Sequence, residues 1–185
     1  MNYAILGLIV FILLAVAIMF NMLVVKRNQV DNISATVDIL LKKRYDLIPN
    51  LVETVKGYAA HESALFANIT ELRSRAMSSG KAAEKAELDG RLAGTLKTLF
   101  AVSEKYPELK ASEGFLALQR SLNEIEEQIS AARRAFSASV NDYNNAIQTV
   151  PLNILAGIMG MQAKAYFSAG EEERKNINTG ELFRK

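Results

Sequence analysis

The chain has 185 residues, and its 22 basic and 20 acidic side chains give a net charge of +2. This near balance predicts no nucleic-acid partner, because binding to phosphates needs a surplus of clustered Lys and Arg. The absence of cysteine excludes disulfides, thiolate metal sites and cysteine nucleophiles, and the presence of only 3 prolines indicates long helices.

The first element is an unbroken apolar run that starts at Ala4, continues to Val25 and stops at Lys26 and Arg27. As a helix it spans roughly 33 Å, enough to cross a hydrocarbon core of about 30 Å. A cleaved signal peptide would have a basic start and small residues at a cleavage site, and neither is found. The run therefore predicts a transmembrane anchor over residues 1–25.

The charges beside the anchor predict its orientation. Lys26 and Arg27 follow the apolar run and no Lys or Arg precedes it. The positive-inside rule then places the N-terminus outside and the rest of the chain in the cytoplasm. The prediction is a single-pass protein of the cell inner (cytoplasmic) membrane.

A first soluble helix is predicted from Val30 to about Met77, because apolar residues recur every three or four positions. Pro49 interrupts this helix chemically, since it has no N–H to donate to the carbonyl of Tyr45. The apolar phase is kept across Pro49, which favours a kinked continuous helix. A chain reversal at Pro49 stays open as the alternative.

Two more helices follow. The second covers about residues 83–106, Pro107 begins the next turn, and Ser112 is a plausible N-cap. The third has ten apolar residues at spacings of three or four over 115–147, and Pro151 ends it. The sequence therefore predicts an all-α fold, with a transmembrane helix followed by an antiparallel bundle of long helices.

The last part of the chain divides into two segments. Residues 152–168 have the composition of a short apolar helix, and residues 169–185 that of a flexible tail. The predicted organisation is an anchor over 1–25, a helical bundle over 26–168 and a tail over 169–185.

Three charged residues fall inside the apolar stripe of the first soluble helix: Arg44, Glu62 and Arg73. A buried charge needs a partner, and these three are too far apart along one helix to satisfy one another. Glu126 and Arg133, which flank the stripe of the third helix, are the candidate partners. For the two arginines, snorkelling of the long side chain to the rim is an equal alternative.

The sequence gives little indication of a catalytic site or a metal site. His61 precedes Glu62, but Leu65 occupies the position of the second histidine in a zinc motif, and the chain has only 1 histidine. Without a second histidine or any cysteine, the usual nucleophile and base pairs cannot be built. The chain is predicted not to be an enzyme and to use no cofactor or metal.

Several segments resemble the LemA family: RYDLIPNLVETVKGYAAHE (44–62), the segment from EKYPELK to VNDYNNAIQTVP (104–151), and NILAGIMGMQAKAYF (153–167). Phe136-Ser137 departs from the Tyr-Asn that is more usual in the family. The resemblance implies a membrane-anchored antiparallel helical bundle with no established enzymatic activity. It also implies a link in some members to HtpX-type membrane proteases. Tyr143 and Asn144, which lie in the second of these segments, are candidate structural or interaction residues.

The predicted second helix is too short to cover the whole length of the first soluble helix. A second helix of about 24 residues reaches back only to the level of residue 54. The exposed part, called the α1 stripe below, consists of Val30, Ile33, Val37, Leu40, Leu41 and Leu47, with Arg44 among them. An exposed apolar stripe predicts a homo-oligomer that buries it. Coverage by residues 152–168, or a reversal at Pro49, is the alternative.

The predicted function is a non-enzymatic scaffold or interaction protein, anchored in the lipid bilayer and working through helix packing and self-association. The alternative is an adaptor or regulator of an HtpX-type membrane protease. The two differ in what accompanies the protein: copies of itself, or a polytopic protease.

Overall fold

The computed structural model describes residues 2–166, which contain six helices and no strand. The helices are α1 (Asn2–Lys56), α2 (Ser63–Ser78), α3 (Ala82–Ser103), α4 (Pro107–Lys110), α5 (Glu113–Gln148) and α6 (Leu152–Ile158). The all-α prediction is confirmed. The predicted tail over 169–185 lies outside the described residues.

α1 is continuous through Pro49, so the alternative of a reversal at this proline is wrong. The prediction that the helix reaches Met77 is also wrong, since α1 ends at Lys56 and the chain turns over residues 57–62. Arg73 near the end of α2 contacts Tyr45, which shows that α2 runs back along α1. Apolar periodicity hid this break because both helices contribute residues in the same phase to one core.

The described residues divide into two compact units. The first unit comprises residues 2–40 and 128–166, and the second comprises Leu41–Glu127. α1 and α5 each contribute residues to both units.

The core of the second unit comes from α1 to α5. Apolar side chains from each helix are fully buried, and the rings of Phe100 and Phe115 lie 6.1 Å apart. The N–H of Phe115 points to the Ser112 hydroxyl at 3.5 Å, so the predicted N-cap of α5 is confirmed. The fully buried apolar residues include Leu51, Val55, Ile69, Leu72, Leu88, Leu92, Leu99 and Leu109.

The first unit has two small apolar clusters. One joins Leu23 to Ala146 and Ala156, and the other joins Val30 to Val140 and Tyr143. Both clusters bring the C-terminal half of α5 against α1, and α6 completes the first of them.

These contacts overturn the prediction of an exposed α1 stripe. Val30, Val37 and Leu40 are buried within the chain, and Ile33 and Leu47 are partly buried. The register argument failed because the chain turns back at residues 57–62, not at 78–81, and because α5 reaches the level of Leu23. The stripe is core, and it is not available as an interface.

The predicted helix over 152–168 stops at Ile158. Gly160 has a φ of +63°, and the N–H of Met161 donates to the Ala156 carbonyl at 3.0 Å, which closes the helix in a left-handed C-terminal cap. Residues 161–166 then continue without helical structure. They are called the 161–166 segment below.

The N-terminal part of α1 exposes its apolar side chains almost without interruption from Tyr3 to Met22. Its mean hydropathy reaches 3.1, and only 6% of that window is buried inside the protein. A core helix would be mostly buried, so this length and exposure make it a candidate membrane span.

Candidate functional site

Arg44 is the centre of a buried polar cluster in the second unit, although it lies in the middle of an apolar helix face. Its side chain is 1% exposed and forms an ion pair with Asp89, which is equally buried. Its second terminal nitrogen donates to Glu126 Oε2 at 2.7 Å, and the Tyr45 hydroxyl donates to Asp89 at 2.9 Å. We call these four residues the Arg44 cluster.

The cluster settles the alternatives for Arg44. The predicted partner Glu126 is confirmed, and snorkelling is wrong, because the guanidinium is enclosed. Burial opposes its charge, but the carboxylates of Asp89 and Glu126 outweigh that effect and raise the pKa of Arg44 above its ordinary value. Arg44 therefore stays charged and ties α1 to both α3 and α5.

A cavity of about 90 Å³ adjoins the Arg44 cluster. Its lining includes Lys97, Phe100 and Asn123. Sites for small organic ligands commonly measure about 300–1,000 Å³, so this space is suited to a few waters and not to a substrate. The cluster is a structural device that fixes three helices.

Arg73 has a different partner from the ones predicted. Its Nε–H donates to the backbone carbonyl of Tyr45 at 2.6 Å. This carbonyl is the one that Pro49 leaves without its helical hydrogen bond, since proline has no N–H. Arg73 thus satisfies from α2 the group that Pro49 leaves open in α1.

Glu62 and Arg133 lie apart from these contacts. Glu62 is at the N-cap position of α2, is partly exposed and makes no side-chain capping hydrogen bond. The prediction that it is a core charge is wrong, because the helix that would have buried it ends at Lys56. Arg133 is a partly buried residue of α5 in the first unit.

Asn144 and Tyr143 form a second polar site in the first unit, where they hold the 161–166 segment. The Asn144 amide donates to the carbonyl of Lys164 at 2.9 Å and accepts from its N–H at 2.9 Å. The Tyr143 hydroxyl donates to the Gln162 carbonyl at 3.0 Å. The side chain of Lys164 then pairs with Asp31 of α1. These bonds connect the segment to α5 and α1.

Sequence patterns did not identify two residues that make important contacts in the structure, Asp89 and Lys164. Asp89 could have been found, because on a helical wheel it lies about 20° from Leu96, on the buried face of α3. Lys164 gave no signal, because it was assigned to a helix that the structure replaces with the 161–166 segment.

A larger depression, about 660 Å³, lies beside the turn between α1 and α2. Its lining includes Lys56, Ser63, Phe66 and Thr70, and no carboxylate or histidine. His61 is exposed. Among residues 2–166, no group of three His, Cys, Asp or Glu side chains could hold a metal ion.

An exposed apolar span on a helix that continues into a helical core defines a membrane-associated helical protein. Its Arg44 cluster fastens α1, α3 and α5 to one another, and its second polar site holds the 161–166 segment to α5. The LemA family profile matches residues 33–179, and the chain belongs to the LemA family.

The chain is similar to several named proteins. Protein LemA of Metamycoplasma hominis is 27% identical over 167 residues, covering 88% of this chain and 74% of the relative. Magnetosome protein MamQ of Magnetospirillum gryphiswaldense and MamQ 2 of Paramagnetospirillum magneticum are each 26% identical over 174 residues. These matches cover 80% of this chain but 64% of each MamQ protein. None of the names states a catalytic activity.

Proposed function

We propose that this chain is a non-enzymatic scaffold or interaction protein that holds a rigid helical surface at the inner membrane. One observation carries the proposal: α1 is a single helix from Asn2 to Lys56. The same helix presents the exposed apolar span and then buries Leu23 and Val30 in the core of the first unit. No flexible linker separates anchor from core.

Stiffness favours a scaffold over a tethered enzyme. A flexible tether would need a run of Gly, Ser or Pro, and between Gly7 and Leu40 the sequence has no glycine or proline and one serine. The buried polar groups described above hold parts of the fold together: Asp89 binds Arg44 between two helices, and Asn144 binds the backbone of Lys164 in the 161–166 segment. This use of polar side chains supports a structural role.

The proposed orientation places both helical units in the cytoplasm. Lys26 and Arg27 directly follow the apolar span, and the positive-inside rule places such basic residues on the cytoplasmic side. Alkali washing should leave the full chain in the membrane, and protease added outside intact cells should leave the C-terminal residues uncut. Release by alkali would contradict the anchor, and cleavage from outside would contradict the orientation.

Self-association stays part of the proposal, but through another surface than the α1 stripe, which is buried. The family match and the MamQ relatives support a membrane-associated helical protein, which either role requires. The second candidate, an adaptor for an HtpX-type membrane protease, has the same architecture and differs in its partner.

Mass measurement of the full chain, purified in a gentle detergent at native expression, tests these roles. A discrete complex of several copies supports the scaffold, and a defined complex with a polytopic protease supports the adaptor. Recovery as a lone monomer at every expression level would contradict both. Leu122→Asp, which disrupts the helical core, is the control that should abolish any specific complex.

A further inference from the structure

We propose that the chain touches the membrane a second time, through an apolar surface beside α6 that enters the boundary between lipid headgroups and acyl chains. This α6 apolar face consists of Val150, Ile154 and Ile158. The inference rests on the proposed anchoring by α1 and adds a site to it.

The first observation is exposure. Val150 is 72% exposed, Ile154 64% and Ile158 78%, although all three are large apolar side chains. Ile154 and Ile158 lie four residues apart and so share one side of α6, while Ala156 is buried in the core. Apart from the partly buried Asn153, the helix is therefore apolar on both its packed and its exposed sides.

The second observation is position. Ala156 and Leu23 belong to one buried cluster, with Leu152 and Leu155 packed around it. Leu23 lies two residues before the end of the apolar run at Val25, or about 3 Å along the helix axis. α6 therefore packs against α1 at the level where α1 leaves the membrane.

The third observation is the absence of charge. From Tyr143 to Ala163 the sequence has no Asp, Glu, Lys, Arg or His, whereas Asp142 and Lys164 flank it directly. A water-exposed protein surface normally carries charged side chains at short intervals, and an exposed apolar patch without them marks a site of contact with a protein or a membrane. The uncharged segment coincides with the part of the first unit that lies beside the span.

A lipid surface fits this face better than a second copy of the chain. Stable protein interfaces bury about 800 Å² on each partner, far more than three side chains offer. Lipid requires no complementary shape, and the anchor already brings it to α6. The α6 apolar face thus continues the exposed apolar surface of α1.

Tryptophan substitution provides the test, since the chain has no native Trp. Three full-length variants are reconstituted in phosphatidylcholine–phosphatidylglycerol vesicles whose acyl chains carry bromine, a short-range quencher. Ile154→Trp probes the new contact, Phe11→Trp probes the anchor, and Ala131→Trp probes an exposed position on α5. All three sites are exposed in the structure, so the fold tolerates the larger side chain.

The expected result is several-fold stronger quenching of Ile154→Trp than of Ala131→Trp, with bromine near the headgroups more effective than bromine deep in the chains. Phe11→Trp should show the opposite depth preference. A quenched Phe11→Trp with a solvent-like Ile154→Trp would overturn this inference and leave the anchor intact. A blue-shifted but unquenched Ile154→Trp would mean that protein covers the face, and would also overturn it. If Phe11→Trp is unquenched, the proposed anchor fails.

Discussion

The hydrogen bond from Arg73 to the Tyr45 carbonyl leads to a sharp test of how α1 is stabilised around Pro49. Pro49 leaves the Tyr45 carbonyl without a helical donor, and the Arg73 Nε–H supplies one at 2.6 Å. Replacing Arg73 with Met keeps an apolar side chain of similar length and removes this donor. The carbonyl is then left without the donor that Arg73 supplies.

The magnitude follows from the kind of bond. A hydrogen bond with a charged donor contributes about 1.5–3 kcal/mol, so Arg73→Met should lower the free energy of unfolding by that amount. In a Pro49→Ala background the alanine brings a backbone N–H that can bond to the Tyr45 carbonyl. The cost of Arg73→Met should then fall below about 1 kcal/mol, leaving a coupling energy of about 1–2 kcal/mol.

The assay is urea unfolding of the full chain in lipid nanodiscs, followed by far-ultraviolet circular dichroism. With a urea dependence of about 2 kcal/mol/M, Arg73→Met should lower the midpoint by about 0.8–1.5 M. Arg75→Met is the matched control on the same helix, because Arg75 is half exposed and pairs only loosely with Glu71. Equal costs of Arg73→Met in the two backgrounds would refute the link between Pro49 and Arg73.

Three other substitutions test whether the buried contacts described above stabilise the fold. Arg44→Met should cost about 3–5 kcal/mol because it leaves Asp89 buried without its cation, and adding Asp89→Leu should recover much of this loss. The pKa of Arg44 is raised in the folded protein, so the stabilisation by its charge is complete below the ordinary arginine pKa and is lost only above it. The loss of unfolding free energy in Arg44→Met should therefore be equal at neutral and mildly alkaline pH. Asn144→Ala should speed amide hydrogen exchange in the 161–166 segment by the factor that corresponds to a loss of about 1–3 kcal/mol in the free energy of local opening. The control Asn145→Ala, at an exposed position, should leave this exchange unchanged. Leu122→Asp should cost at least about 3 kcal/mol in urea unfolding, since it buries a carboxylate, and a mild effect would contradict the assigned core of α5.

Sequence patterns were strongest where a long helix has one buried face. The third predicted helix, over 115–147, matches α5, and the second, over 83–106, matches α3 closely. The apolar run to Val25 is recovered in α1, which exposes its apolar side chains from Tyr3 to Met22. In each case a single periodicity extends over many turns, and tertiary contacts do not need to override it.

The break after Lys56 could not be read from periodicity. α1 and α2 both face the core of the second unit, so the apolar phase continues across the turn. Pro49 drew attention as the strongest helix breaker, yet α1 continues through it and Arg73 supplies the missing donor. Gly57, at the start of the turn, was the weaker but correct signal.

Long-range polar partners were predictable only in part. Glu126 could be nominated for Arg44 from its place beside the α5 stripe, and the structure brings the two together. The bond between Asn144 and Lys164 depends on backbone groups of a non-helical segment, which no side-chain pattern announces. A hydrogen-bond partner that is a backbone atom cannot be predicted from the spacing of side chains in the sequence.

The central claim is that α1 joins the membrane span to the helical core without a flexible joint. Leu14 and Ile39 are both exposed on α1 and, at 25 positions apart, lie within about 20° of one face of the helix. The chain has no native Cys, so cysteines introduced at these two sites can carry spin labels. Pulsed electron paramagnetic resonance in nanodiscs then measures the distance between the two labels. A continuous helix predicts a narrow distribution centred near about 38 Å, and inserting Gly-Gly-Ser after Arg27 should broaden it. A broad or much shorter distribution in the unmodified chain would contradict the rigid anchor.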